Sequence, residues 1–183
     1  MTLMTRRAFA VSALALAAGC GNGIGSDGAQ RLDARVDATL SRMFADYPGT
    51  RQLADKAAGI LVMPVVTEAG LGFGGAYGRG ALRVGGVTVD YYSATRASFG
   101  PQIGGQQYSH VLFFMTEEAL REFRTSPGWA AGADIEYVFN DVGEALKAET
   151  TTQLSPVIAV VFGQAGVRVG ATLEGTKYTR IIP

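Results

Sequence analysis

Between Gly70 and Gly80 the chain reads GLGFGGAYGRG, six glycines in eleven positions. No helix tolerates that density, because each interior glycine costs about 1 kcal/mol relative to alanine. The segment has to be extended, with its glycines serving bulges, bends and close backbone contacts in a curved sheet. Gly70-Leu71-Gly72-Phe73-Gly74-Gly75 also satisfies G-x-G-x-x-G after an apolar run, and Asp90 falls 20 residues beyond Gly70. That is the spacing of a dinucleotide-binding turn and its ribose acid. A phosphate-binding turn must open a helix whose N-terminus faces the phosphate. Here the chain continues Ala76-Tyr77-Gly78-Arg79-Gly80, which opens no helix. No cofactor is expected.

The remaining pattern surrounds this ribbon with short elements. From Ala29 to Tyr47, Leu32, Val36, Leu40, Met43, Phe44 and Tyr47 recur at three- and four-residue steps, which predicts an amphipathic helix. Pro48-Gly49 ends it, and a second short helix is predicted over Thr50–Ala58. Ile60–Val66 is a continuous apolar run, as in a strand buried on both faces. Leu82–Val84 and Val87–Tyr92 flank Gly85-Gly86, a two-residue hairpin signal. Val111–Met115 is another buried run, and Thr116 caps a helix to about Arg124, with Glu117 and Glu118 in its first turn. Further strands are predicted over 133–140, 157–162, 167–174 and 178–182, with turns at Gln164-Ala165-Gly166 and Gly175-Thr176-Lys177. Helices do not alternate with strands, so the fold class is α+β. The expected architecture is a largely antiparallel curled sheet or barrel-like sandwich of eight or more short strands.

The N-terminus predicts a destination. Thr5-Arg6-Arg7-Ala8-Phe9 resembles the twin-arginine export signal. The apolar stretch Ala10–Ala18 that follows is about nine residues, too short for the ~20 of a membrane-spanning helix. Ala17-Ala18-Gly19-Cys20 resembles a lipobox, with Leu16 one place early, and Cys20 is the only cysteine in the 183-residue chain. An internal disulfide is thereby excluded, and acylation accounts for the thiol. A lipoprotein carries two or three acyl chains, enough for stable anchoring. We therefore expect a signal peptide over 1–19, a lipidated cysteine and flexible tether over 20–29, and one domain over 30–183. Gly21, rather than aspartate, follows the cysteine, which favours the outer membrane over the inner one. The expected location is thus the cell envelope, facing the periplasm.

Charge excludes one partner class. Sixteen basic residues balance sixteen acidic ones, and a cut before Cys20 removes Arg6 and Arg7 for a net of −2. Nucleic-acid binding rests on clustered Lys and Arg, so no nucleic acid is expected. On the first helix Arg31, Asp33, Arg35, Asp37, Arg42 and Asp46 alternate in sign. Lipid contact is therefore expected to rest on apolar surface more than on charge.

Catalytic signals are weak. His110 is the single histidine, beside Ser109, and no H-x-H, C-x-x-C or H-E-x-x-H occurs, so no metal is expected. His110 reads as a strand-end residue, although Ser109 and His110 are the residues a hydrolase-like reading would need. Asp134 and Glu136 lie two apart on a predicted strand, and Arg168, Thr172 and Glu174 share one face of another; both sets read as solvated faces. The aromatics Phe113, Phe114, Tyr137, Phe139 and Phe162 read as core. An enzyme is not expected.

Several segments together resemble one family. Ala58–Pro64 and Ala69–Gly80 resemble the opening block of the SYLF domain, and Ser98-Phe99-Gly100-Pro101-Gln102-Ile103-Gly104 its S-F-G-x-Q-x-G block. Val111–Asp134 resembles its third block, and Gly166–Lys177 its closing strand pair, so the likeness runs over about 30–182 in order. The resemblance implies a lipid-binding module; eukaryotic SYLF domains bind phosphoinositides, some fungal ones bind actin, and bacterial members are typically exported lipoproteins. It assigns no individual lipid-contacting residue here. The expected partner is membrane lipid, as covalent anchor and as ligand. The alternative is a structural or interaction module for an envelope protein or cell-wall partner.

Overall fold

The computed structural model describes residues 27–132, 135–139, 155–166 and 173–183. The signal residues Arg6 and Arg7, the lipidation site Cys20, Asp134, Arg168, Thr172 and most of the strand expected over 167–174 lie outside these. Among the described residues are three helices, α1 (Gly28–Asp46), α2 (Thr50–Lys56) and α3 (Glu117–Thr125), and six strands. The strands are β1 (Gly59–Val84), β2 (Val87–Phe114), β3 (Trp129–Ala130), β4 (Ile135–Phe139), β5 (Val157–Gly166) and β6 (Lys177–Ile181).

The helices follow their sequence signals. The stripe of α1 buries Leu32, Val36 and Met43, each contributing about 1.5–3 kcal/mol. Pro48 and Gly49 break the helix, and the Thr50 hydroxyl donates to the Tyr47 carbonyl at 2.7 Å as α2 begins. The Thr116 side chain caps α3 by accepting from the Ala119 amide at 3.2 Å.

The sheet departs from the expected series of short strands. β1 and β2 run 26 and 28 residues, several times the usual five or six, and pair antiparallel from Gly59↔Phe114 to Val84↔Val87. Gly85 and Gly86 join them with φ of 58° and 81°, the doubly positive geometry of a type I′ turn. The glycine-rich segments bend this ribbon at a register shift between Leu71 and Phe73, with pairing resuming on either side, so 70–80 is extended as expected. The predicted turn at Gln164-Ala165-Gly166 is likewise strand, since Ala165 and Gly166 pair with Gln107 and Gln106. On its other edge β2 bonds β6 along Tyr91–Thr95 and β5 along Gln106–Phe114. Among the described residues, only β4 and β5 pair parallel. The result is an α+β curled antiparallel sheet, as the sequence implied.

At the bend β1 doubles back onto itself. A Cβ on Gly80 would lie 2.0 Å from the Val62 carbonyl oxygen, and one on Gly78 would lie 2.9 Å from that of Val65. Residues without side chains are what allow the two arms to touch backbone to backbone. Near this crossing the ribbon is buried on both faces. α1 and α2 cover Val62, Ala81, Val111 and Phe113 on one side. On the other, Leu61, Leu82, Leu112 and Phe114 meet Phe123 of α3 and Tyr178 of β6.

Candidate functional site

Further along the ribbon α1 no longer covers the sheet. Outward and inward residues then alternate with period two, as strand geometry requires. Val66, Glu68, Ala76, Gln106 and Tyr108 point inward and are buried, while Val65, Phe73 and Tyr77 point outward, 46 %, 65 % and 54 % exposed. Where α1 meets this bare face, a cleft of about 230 Å³ is lined by Arg31, Leu32, Arg35, Val65, Thr67, Tyr77 and Arg79.

Its cations come from a segregation that charge counting hides. Arg31 and Arg35 share one side of α1, and Asp33 and Asp37 are displaced from them by about 200° around the axis. The acids face the hairpin: Asp33 accepts from the Thr88 hydroxyl at 2.8 Å and from the Tyr91 phenol at 2.9 Å. Asp37 accepts from Arg83 at 2.7 Å. Burial and the Asp33 hydrogen bond push the Tyr91 phenol up to about 12, so it stays protonated and donating. With the acids engaged there, the arginines line the cleft. Arg31 pairs at 2.6 Å with Asp27, both well exposed, and such a pair contributes little. Arg35 makes no ion pair among the described residues. The expectation that signs cancel on this helix therefore holds for the total and fails for the surface.

Beneath the same half of the ribbon lies a buried polar cluster. Glu68 pairs with Arg96 at 2.8 Å, and Gln106 donates to the same carboxylate oxygen at 2.7 Å. His110 is wholly buried and shares a 2.9 Å hydrogen bond between its Nε2 and the Tyr178 hydroxyl. Burial first, and the Arg96 charge second, lower its pKa from 6.5 to about 3, so the ring is neutral. Burial also raises the Tyr108 phenol. His110 is thus not the strand-end residue expected. It sits inside β2, between partners Met63 and Val161, because β2 runs unbroken from Val87 to Phe114 rather than beginning at Val111. Ser109 points to the opposite face and donates to the Pro64 carbonyl at 2.7 Å, so Ser109 and His110 are not brought together.

The other sequence candidates disperse. Glu136 lies on β4, and Glu174 is exposed beside the turn before β6. Phe113, Phe114 and Phe162 are core, as expected. Among the described residues no group of three or more His, Cys, Asp or Glu is arranged to hold a metal ion. No described helix is long and apolar enough to cross a membrane. The cleft residues Arg31, Arg35, Val65, Tyr77 and Arg79 were not singled out from sequence. Their signal was the four-residue spacing of the arginines against the two-residue offset of the acids.

Two comparisons bear on this arrangement. Beta cell expansion factor A of Aeromonas veronii is 27 % identical over 153 residues, covering 80 % of this chain and 55 % of that protein. The chain therefore spans about half the length of that relative. The family model described as Ysc84, Las17-binding protein actin regulator, matches residues 95–180. That stretch takes in the S-F-G-x-Q-x-G block and the closing strands on which the likeness was first read, so residues 95–180 carry the match to the Ysc84, or SYLF, domain.

Proposed function

We propose that this domain is a non-enzymatic module that binds the surface of a lipid bilayer, held there by acylated Cys20 in the cell envelope. The observation that carries the reading is the cleft beside α1, where three arginines border an uncovered apolar strand face. Cations beside an apolar floor match a phospholipid, whose phosphate and first methylenes present the same two chemistries. Anionic surfaces attract such residues at about 1 kcal/mol per Lys or Arg, and apolar burial adds roughly 25 cal/mol per Å². Seven residues separate Cys20 from Gly28, which itself lines the cleft. An extended tether of that length reaches at most about 28 Å, so the anchor would hold this face close to the membrane.

The test is vesicle co-sedimentation of the chain carrying Cys20→Ser, with neutral and with anionic phospholipid. Binding to anionic vesicles is expected, weakened by salt and by Arg35→Glu combined with Arg79→Glu. Absence of binding without the acyl anchor would instead support the interaction-module alternative.

A further inference from the structure

Resting on that lipid-surface reading, we propose that the bend of the β1–β2 ribbon is a wedge that enters the bilayer, with Phe73 leading. Along the outward face of β1 stand Phe73, Gly75, Tyr77 and Arg79, each two residues from the next. No register shift interrupts them, so they form one column. Read from the bend, the column is an apolar ring, then an amphipathic phenol, then a cation. A bilayer presents the matching sequence of layers: acyl chains, the interface where tyrosine rings settle, and the phosphates. At about 3.3 Å per residue, Phe73 lies roughly 13 Å beyond Tyr77 and 20 Å beyond Arg79. With Arg79 at the phosphates and the ribbon tilted about 60° or more from the bilayer normal, that length carries Phe73 to the 5–10 Å depth that interfacial elements reach.

Charge supports the same occupant. From Ala69 to Gly78 and from Ala97 to Ser109 the ribbon contains no Asp, Glu, Lys, Arg or His. The nearest charges at its base, Glu68 and Arg96, are paired with each other and buried. An uncharged end on a chain that is 17 % charged suits a medium where every ion is penalised. The backbone suits it too. Ala69↔Gly105, Gly70↔Gly104 and Leu71↔Ile103 pair on one side of the bend and Phe73↔Phe99 and Gly74↔Ser98 on the other, with one register shift between Leu71 and Phe73. On both sides of that shift, cross-strand pairing satisfies peptide groups that hydrocarbon would otherwise strand.

Cys20 is the only cysteine, so the full chain with Cys20→Ser and Phe73→Cys accepts one environment-sensitive fluorophore at the bend. Val87, equally exposed at 65 % but beside the Gly85-Gly86 turn, provides the control as Cys20→Ser with Val87→Cys. On anionic vesicles whose acyl chains are brominated, the Phe73 label should be quenched and shifted to the blue, and the Val87 label should not. Phe73→Asp should weaken vesicle binding about tenfold or more, with thermal unfolding unchanged, and Val87→Asp should leave binding intact. Vesicle binding with an unquenched Phe73 label would overturn the wedge while leaving the lipid reading in place. Failure of the Cys20→Ser chain to bind vesicles at all would overturn both. Self-association abolished by Phe73→Asp, with lipid binding unaffected, would reassign the bend to a contact between copies of the chain.

Discussion

Adding a single methyl group at Gly80 tests how the ribbon folds onto itself. In Gly80→Ala the new Cβ would sit 2.0 Å from the Val62 carbonyl oxygen, 2.3 Å from Met63 Sδ and 2.9 Å from the Val62 carbonyl carbon. The methionine sulfur can swing aside, but the carbonyl cannot. Val62 is laddered to Val111, and Val111 to Val160, so relief of more than an ångström must displace three strands together. The φ of Gly80 is not in the left-handed region, so the cost is steric alone. Overpacking of a tight core costs typically about 1–3 kcal/mol, and backbone against backbone belongs at the upper end. Alanine returns about 0.4–1 kcal/mol by restricting the unfolded chain. The net destabilisation is therefore about 2 kcal/mol, or a Tm lower by about 4–8 °C for a domain of this size. Calorimetry or urea unfolding monitored by circular dichroism measures it. Gly132→Ala, where a Cβ meets nothing within 4 Å among the described residues, is the matched control. A Tm for Gly80→Ala within about 1 °C of the parent would refute the contact between the two arms of β1, since any real overlap costs more.

Other substitutions probe the interior. The unfolded chain protonates His110 near pH 6.5 whereas the fold holds it neutral down to about 3, so stability should fall as pH drops through that window. Between pH 6.5 and 5 the loss is about 2 kcal/mol, and comparing urea midpoints of the parent and His110→Gln isolates it. Glu68→Ala removes the carboxylate that Arg96 and Gln106 share; breaking such a buried pair should cost about 3 kcal/mol, read by denaturant unfolding. Thr116→Ala deletes the cap of α3 and should cost about 1 kcal/mol, recovered by Thr116→Asp in the same assay.

The residues announced local structure well and long-range contact poorly. The period of Leu32, Val36 and Met43, the Pro48-Gly49 stop, the Thr116 cap and the Gly85-Gly86 turn are each decided by a few neighbouring residues, and each appears where expected. Gly70–Gly80 was legible as bent sheet, but a bend and a chain reversal share glycine as their signal. Only the pairing of Leu71 with Ile103 and Phe73 with Phe99 tells them apart. His110 illustrates the same limit. Its burial depends on Tyr178, 68 residues away, and no local pattern reports that. The cleft was half-legible: the helical offset between Arg31/Arg35 and Asp33/Asp37 is in the sequence, whereas the side that meets the hairpin is settled only by Arg83, Thr88 and Tyr91.

The double pairing along one edge of β2 has a consequence for synthesis. On the edge away from β1, Tyr91–Thr95 pair with Lys177–Ile181, at separations of up to 90 positions. While the ribosome is still making the intervening chain, that stretch of β2 carries an unmatched row of amides and carbonyls. Open rows of this kind recruit other strands, and sheets closed by distant segments form late. The segment 177–181 thus acts as a clasp: a nascent or truncated chain lacking it would retain the α1 helix and the long hairpin, yet leave an adhesive seam where Tyr178 should have locked onto His110.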